Sequence, residues 1–307
     1  MATLSELRAK VKKALLPDTT AFGTTDIDAY LNEAVNRIAA GIASYGVLSP
    51  PLPELFKIRT VDTVVITGTT IAFVDGDPDT ITDSGSGFVT AGFVAGMPII
   101  VSGAGESGNN TTFHNIATVA AGTITLQAAD ELTAETAGES VTIRAPCVAL
   151  PSDYNRGLAF VSSVAQDSRI RIYTSYHKLL KKYPLLNETG DVQFVAVKGN
   201  YLYYQGIPAS AETLTVHYHR DPTEMTEEAH TPDGIPAHLQ DRLLINYTGK
   251  EILGMIEQAA KGKTLRGQKY EEKFQEAMAD LVAFIGPEDT GPLYYDDEQG
   301  HMDDYGF

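Results

Sequence analysis

The sequence predicts an α+β protein: a helical bundle with an antiparallel sheet of about four to five strands, interrupted by a small all-β inserted domain, a sandwich or a barrel. Three observations support this fold class. Apolar residues recur at helical spacing near both ends of the chain. Short β-prone runs separated by turn residues fill its centre. Lys and Arg, which are common near both ends, nearly vanish between residues 61 and 143.

The first segment, residues 1–48, predicts a helical hairpin. Thr3 and Glu6 have the spacing of a capping box, and apolar residues share one face until Pro17. A second run beginning near Thr25 follows the same period. Because two helices alone cannot bury such a face, we expect it to pack on later sequence or on a neighbouring protomer. The predicted inter-protomer face consists of Ile27, Tyr30, Leu31, Val35, Ile38 and Ile42.

The central region, residues 58–146, predicts a self-contained β domain. Turn signals such as Asp75-Gly76 and Ala121-Gly122 separate short β-prone runs, and this regular spacing is typical of a small sandwich or barrel. The predicted strands are Val61–Thr67, Thr70–Val74, Thr80–Asp83, Pro98–Ser102, His114–Val119, Thr123–Gln127 and Ser140–Arg144.

After this region the chain returns to a mixed composition. Two apolar stripes at helical spacing follow Ile235-Pro236 and end near Gly286-Pro287. Before them we expect a short helix, Ser175–Tyr183, and the strands Leu158–Val164, Arg169–Tyr173, Val192–Lys198, Tyr201–Gln205 and Thr213–Arg220. The sequence therefore predicts one discontinuous body, an inserted β domain and an extended tail, with the boundaries 1–57 and 147–288, 58–146, and 289–307.

The C-terminal tail is both acidic and aromatic. Its apolar and aromatic residues stand among Asp and Glu, whereas tails that only solvate a protein carry few such anchors. Two interpretations stay open: a disordered, solubilising end, or a segment that orders on a partner, for example by adding a strand to it. The candidate docking residues are Leu293, Tyr294, Tyr295, Tyr305 and Phe307.

Composition argues against several classes of protein. The formal net charge is −17, from 23 basic and 40 acidic side chains, which opposes wrapping of a phosphate backbone. No run approaches the roughly 18 to 20 apolar residues of a membrane span, and Met1 to Lys13 lacks the apolar stretch of a signal peptide. We therefore expect a cytoplasmic protein, or one that leaves the cytoplasm by a route other than secretion. The single cysteine, Cys147, follows Pro146 in an apolar run, which favours a packing role.

Two patterns invite a metal site. The alternating carboxylates of Asp75–Asp79 fail the helix–loop–helix calcium pattern, because its sixth and twelfth positions hold Thr80 and Ser86. A looser calcium site stays open, although an acidic hairpin turn is the favoured interpretation. His217 and His219 share one face of a strand, but no third ligand is evident, which favours packing.

Signatures of catalysis are lacking. No serine hydrolase elbow, P-loop or dinucleotide fingerprint occurs. Carboxylates on the first helices, Glu6, Asp26 and Glu33, are the candidates for a cell-wall hydrolase, but nothing in the sequence distinguishes an acid from a base among them. The sequence therefore predicts no enzyme, no cofactor and no metal centre.

A series of phrases in the returning region resembles a known family. They are Leu150-Pro151-Ser152-Asp153-Tyr154, Tyr173-x-Ser175-Tyr176-x-x-Leu179, Gly199-Asn200-Tyr201-Leu202-Tyr203, Ala211-x-Thr213-Leu214-x-Val216-x-Tyr218-x-Arg220-x-Pro222 and Ile235-Pro236-Ala237-His238-Leu239. Their order resembles the head-to-tail adaptor (connector) proteins of tailed bacteriophages, particularly the tail-tube adaptor type of short-tailed phages. The central region is similar to virion β modules in Ile81-x-Asp83-Ser84-Gly85-Ser86-Gly87-Phe88 and Ile100-Val101-Ser102-Gly103.

The resemblance implies a virion protein, assembled in the host bacterial cytoplasm. It implies a ring, usually of about twelve copies, that sits beneath the phage portal, lines the DNA exit channel and carries the tail nozzle or tail-tube protein below. Genomic DNA would pass through without specific binding, and the docking tail would reach the portal.

Two other functions stay open. One is a carbohydrate- or host-surface-binding module built on the central β region, although that region has no Trp or Tyr and few Phe for sugar stacking. Its phenylalanines are Phe73, Phe88, Phe93 and Phe113. The other is a cell-wall hydrolase acting through Glu6 or Glu33.

Overall fold

The structure is a computed structural model that describes residues 1–15, 23–40, 52–110, 114–165, 168–259, 266–285 and 294–295. The chain divides into two compact units, residues 1–57 with 219–291 and residues 58–218 with 292–307. The boundaries expected from the sequence, one body of residues 1–57 and 147–288 around a β domain, stay a prediction. No helix in the described ranges is both long and apolar enough to cross a membrane.

The helices and strands are named in chain order. The helices are α1 (Leu4–Leu15), α2 (Thr24–Ala40), α3 (Tyr176–Lys182), α4 (Gln240–Ala259) and α5 (Arg266–Ile285). The strands are β1 (Phe56–Asp62), β2 (Val65–Gly68), β3 (Ile71–Val74), β4 (Thr80–Asp83), β5 (Pro98–Ser102), β6 (His114–Ala120), β7 (Thr123–Leu126), β8 (Val141–Arg144), β9 (Cys147–Ala149), β10 (Tyr154–Ser163), β11 (Ser168–Tyr173), β12 (Phe194–Lys198), β13 (Tyr201–Gln205), β14 (Thr213–Arg220) and β15 (Tyr294–Tyr295).

The first unit is built from α1, α2, α4 and α5. The predicted capping box starts α1: the backbone N–H of Thr3 donates to Glu6 Oε2 at 3.0 Å, and the N–H of Glu6 donates to Thr3 Oγ1 at 3.3 Å. Apolar residues of all four helices form one buried cluster. An ion pair joins α1 to α2, with Arg8 Nη2 lying 2.7 Å from Asp28 Oδ2.

That cluster changes the interpretation of the inter-protomer face. Ile27, Leu31, Val35 and Ile38 are at most 3% exposed, because α2 packs against α1 and α4 of its own chain. These four side chains are therefore not accessible to a neighbouring protomer, which corrects that prediction. Tyr30 is half-buried and its hydroxyl lies 3.3 Å from Met255 Sδ, while Ile42 lies outside the described residues.

The central strands form a seven-stranded sheet in the order β2-β8-β5-β6-β7-β4-β3, with antiparallel neighbours throughout. Its two outermost strands, β2 and β3, are consecutive in the chain and joined only by Thr69 and Thr70, so the sheet curls back towards its own beginning and is nearly barrel-shaped. Alternation places one face inside, where Phe88 and Phe93 pack at a ring-centroid distance of 6.1 Å. The predicted strands of this region are found within a few residues, except that Val61–Thr67 divides between β1 and β2.

The chain enters and leaves this sheet at one paired point. The backbone N–H of Ala145 donates to the carbonyl of Val64 at 3.0 Å. The hydroxyl of Tyr204, a fully buried residue of β13, donates to the carbonyl of Ala145 at 2.6 Å and accepts from the N–H of Val64 at 3.3 Å. One buried tyrosine therefore holds both connecting segments.

The second sheet has eight strands. Seven follow the order β1-β14-β10-β11-β12-β13-β9, and β15 pairs with β11 beside that path. Its buried face carries Val161, Ile170, Ile172, Leu202 and Leu214, all at most 3% exposed. The strands β11 and β12 run parallel because α3 connects them as a crossover, whereas β12 and β13 form an antiparallel hairpin.

The predicted fold class, a helical bundle with about four to five antiparallel strands and a small inserted β domain, is wrong. The described residues form five α-helices and two large sheets of eight and seven strands, the larger of them mixed. The larger sheet was underestimated because three of its strands, β1, β9 and β15, come from segments taken as linker or tail. The strands β9 and β15 have three and two residues, too few for alternation to show in the sequence.

Candidate docking surface on the eight-stranded sheet

An edge of β11 accepts the C-terminal segment. The strand β10 pairs with β11 only from Ser163↔Ser168 to Val161↔Ile170. Beyond that point β12 lies on one side of β11, and β15 takes the other side in parallel, with Ile172↔Tyr294 and Tyr173↔Tyr295 as partners. We call this edge of β11, at residues 172–173, the strand slot. It binds through the backbone, as in strand addition to an open sheet edge.

Cationic side chains stand beside the strand slot. Arg169 and Arg171 are exposed, because alternation along β11 turns them away from buried Ile170 and Ile172. The guanidinium carbon of Arg169 lies 5.7 Å from the ring centroid of Phe160, and that of Arg171 lies 5.7 Å from the ring centroid of Phe194. Such cation–π contacts hold the guanidinium groups in place beside the sheet.

The helix α3 extends this positive surface. The side chain of Ser175 caps the helix by accepting from the N–H of Lys178 at 3.3 Å, and Lys181 and Lys182 lie in the last turn, where cations are favourable. Residues 168–187 contain five Lys or Arg and no Asp or Glu. We call these residues, together with one lysine of β12, the basic–aromatic band: Arg169, Arg171, Lys178, Lys181, Lys182 and Lys198.

Lys198, the residue of the band on β12, contacts two tyrosine rings. Lys198 Nζ lies 4.7 Å from the ring centroid of Tyr176 and 5.9 Å from that of Tyr203. The two rings lie 4.4 Å apart and join α3 to β13. Burial raises the pKa of the Tyr176 and Tyr203 hydroxyls, so both rings stay neutral at physiological pH.

The band is suited to binding carboxylates rather than to stacking on flat ligands. Its two arginines are exposed on β11 and its lysines stand on α3 and β12, but the rings beside them are largely covered: Phe194 and Tyr203 are each 8% exposed. A base or sugar would need an uncovered ring face. An acidic peptide needs cations and a strand edge, which are the band and the edge of β11 that β15 takes.

Docking of the C-terminal residues on a partner stays a prediction, and the structure places two of them on the chain's own sheet. Tyr294 and Tyr295, predicted as docking residues, pair with β11, while Leu293, Tyr305 and Phe307 lie outside the described residues. The receiving surface was missed, although the alternation of Arg169 and Arg171 with two isoleucines was visible in the sequence and indicates a strand with a charged open face.

The acidic turn considered as a calcium site has a structural role. Asp79 is 6% exposed and accepts hydrogen bonds from the N–H groups of Gly76, at 2.7 Å, and Leu132. The rings of His217 and His219 pack against aromatic rings, at centroid distances of 5.2 Å from Phe160 and 5.4 Å from Phe56. Across the described ranges, no group of three or more His, Cys, Asp or Glu is arranged to hold a metal ion.

The phenylalanines considered for sugar stacking and the single cysteine are buried where the structure describes them. Phe73, Phe88 and Phe93 are at most 2% exposed, which leaves none of them for sugar stacking, and Phe113 lies outside the described residues. Burial raises the pKa of the Cys147 thiol to about 12, which keeps this residue in the unreactive protonated form.

Comparison with known proteins adds no identification. No protein-family model matches the chain, and no curated protein matches it either. The resemblance to phage adaptors therefore stays a prediction, and the function is argued from the docking surface.

Proposed function

We propose that this protein is a non-enzymatic structural component of a tailed-bacteriophage virion: a head-to-tail adaptor whose copies form a ring between the portal and the tail. The ring would line the DNA exit channel and pass genomic DNA without specific binding. Its partners would be further copies of itself, about twelve in all, the portal protein above, and a tail nozzle or tail-tube protein below. It would be assembled in the host cytoplasm and need no cofactor or membrane.

The observation that carries this proposal is the pairing of β15 with β11. A C-terminal segment that binds a sheet edge through its backbone is suited to joining components, because strand addition needs only an open edge in the partner. The aromatic residues on either side of its acidic stretch would supply specificity, and strand pairing would supply direction.

The distribution of charge supports a conduit. Between residues 61 and 143 the chain has ten acidic residues and no Lys or Arg, while five cations are grouped in residues 168–187. A surface with an excess of carboxylates repels DNA phosphates and lets DNA slide wherever it faces a channel. Cations that are confined to a band can bind a protein partner without binding the DNA.

The test is assembly with the portal. The purified chain is mixed with the portal protein of the same phage and studied by negative-stain electron microscopy and light scattering after size exclusion. We expect a ring of about a dozen copies on the portal. A chain that ends at residue 290 should keep its circular dichroism spectrum and lose portal association. A protein that stays monomeric with the portal contradicts the proposal.

A further inference from the structure

We infer that the basic–aromatic band is the binding site for the acidic residues of the chain's own C-terminal segment, residues 296–307, which continue from β15. This deepens the proposed function, on which its biological role rests, because the segment assigned to the portal would first be held on the chain's own sheet. The partner is defined by its chemistry: an extended, acidic and aromatic peptide.

The direction of β15 brings the acidic residues to the band. Because β15 is parallel to β11, the chain that leaves Tyr295 runs in the same direction as the chain that leaves Tyr173. In β11 that direction leads through Thr174 and Ser175 into α3, where the lysines of the band lie. The residues that follow β15 are Asp296, Asp297 and Glu298.

The charges are complementary. Residues 296–304 contain five acidic residues and no Lys or Arg, and residues 168–187 contain five basic residues and no Asp or Glu. In a chain of net charge −17, this band is a favourable place for a negative segment to lie. The cation–π contacts of Arg169, Arg171 and Lys198 hold the charges on the sheet face, which reduces the entropy lost on pairing.

The contacts make the segment exchangeable. Exposed ion pairs are individually weak, and β15 adds only two paired residues. Several weak pairs together with a short ladder give a reversible association that salt weakens. A partner that offers a longer strand edge would displace the C-terminal segment from its own sheet. The band would therefore hold this segment until the partner binds it.

A peptide-binding experiment tests the site. A chain that ends at residue 290 is titrated with a fluorescein-labelled peptide of residues 291–307, and binding is followed by fluorescence anisotropy. We expect saturable binding that weakens at least about tenfold between 50 and 500 mM NaCl. The double reversal Arg169→Glu with Arg171→Glu should weaken binding by a similar factor. Neither measurement requires a ring or a portal, so its failure is distinguishable from failure of the proposed function.

Two controls isolate the charge effect. The reversal Lys13→Glu with Lys269→Glu makes the same change in net charge at exposed positions on α1 and α5, and we expect it to leave binding within about twofold. A peptide with its acidic residues replaced by Asn and Gln should bind at least about tenfold more weakly. Equal binding of the neutral peptide, or equal loss in the two reversals, would overturn the inference.

Disulfide trapping tests whether the chain's own segment occupies the band. Extending the register of β15 by one residue places position 296 opposite position 174, so Thr174→Cys with Asp296→Cys should form a bond within one chain. The buried native Cys147 does not compete. We expect a monomeric band on a non-reducing gel, and no such bond in Lys13→Cys with Asp296→Cys. Bonds between chains only would overturn this assignment and place the segment on a neighbouring copy.

Discussion

The two sheets treat their edges in opposite ways. The seven-stranded sheet brings its first and last strands together through Thr69 and Thr70, and its cross-strand neighbours all come from one continuous stretch of chain. The eight-stranded sheet collects strands from distant parts of the sequence and leaves a side of β11 for β15. The first arrangement brings the two ends of the sheet close together in the chain, and the second keeps an edge that accepts another strand. We call the seven-stranded sheet the closed sheet and the eight-stranded sheet the open sheet.

The difference extends to charge. The stretch that forms the seven-stranded sheet has no Lys or Arg between residues 61 and 143, whereas the basic–aromatic band lies on β11 and β12 of the eight-stranded sheet and on the helix α3. A sheet that buries one face and curls back towards its own beginning gains stability from its core. We expect the seven-stranded sheet to contribute mainly to stability and the eight-stranded sheet to contribute mainly to binding, and this difference can be tested.

The largest effect should come from the core of the closed sheet. Phe88 is fully buried there, so Phe88→Ala should lower the free energy of unfolding by about 3–5 kcal/mol through lost transfer energy and a cavity. The matched change in the open sheet is Phe160→Ala, where the ring is only partly buried and the loss should be under about half as large. Urea unfolding followed by circular dichroism gives both values. Equal losses would show that the sheets do not differ in this way.

The second effect concerns Val64 and Ala145, where the chain enters and leaves the seven-stranded sheet. Tyr204→Phe removes the hydroxyl that serves Ala145 and Val64 and leaves a buried carbonyl and N–H with one partner fewer, which should cost about 1–3 kcal/mol. Tyr201→Phe is the control, because its hydroxyl bond to the Ala95 carbonyl is exposed, and we expect a loss below about 0.5 kcal/mol. A Tyr204→Phe protein as stable as the wild type would contradict the role given to this residue.

The third effect is a pH dependence within the closed sheet. His114 is 3% exposed, and neither ring nitrogen has a hydrogen-bond partner among the described residues. Burial lowers its pKa, against the opposing charges of Asp130 and Asp79. The native state therefore holds the neutral ring, while the unfolded chain takes up a proton near pH 6.5. Stability is present above about pH 6.5 and is lost as the pH falls below it.

The measurement for His114 is the urea midpoint at pH 7.5 and 5.5. We expect the wild-type midpoint to fall between these values by more than that of His114→Phe, which carries no titrating ring. An equal fall of the urea midpoint in the two proteins would mean that His114 is accessible to protons in the native state.

The smallest effect on stability should come from the strand slot. Ending the chain at residue 290 removes β15, which contributes one two-residue ladder, so the thermal midpoint should change by less than about 2 °C. Hydrogen exchange at the backbone of residues 172–173 should nevertheless accelerate, because their partner is gone. A loss of several kcal/mol would show that β15 belongs to the core of the sheet rather than to its docking edge.

Much of the local structure could be predicted from the sequence. Alternation and turn residues located the strands of the closed sheet within a few residues, and helical periodicity with the Thr3–Glu6 box located α1. What failed was membership of the larger sheet. The strands β1, β9 and β15 join it by pairing with segments far away in the chain, and such pairing depends on burial and register that no local pattern records.

Two features of the eight-stranded sheet and the helices have a partial signal in the sequence. The order strand, short helix, strand at β11, α3 and β12 is the pattern of a parallel pair, whereas an antiparallel sheet was predicted. The apolar face of α2 was predicted to contact a neighbouring protomer, but α1 and α4 of the same chain cover it, which helical periodicity alone does not reveal. The basic–aromatic band could not be predicted as a site, because Lys198 reaches Tyr176 only after the sheet has formed.

The paired point at Val64 and Ala145 has a consequence for exchanging sequence. Because the two ends of the segment Val65–Arg144 meet at a hydrogen bond of 3.0 Å, whatever lies between them can change in length or fold without altering the distance that the rest of the chain must span. The segment can therefore be treated as an exchangeable insertion with adjacent ends. A short turn or an unrelated domain with adjacent termini could be grafted there. Any graft must leave intact the hydrogen bonds of the Tyr204 hydroxyl to Ala145 and Val64.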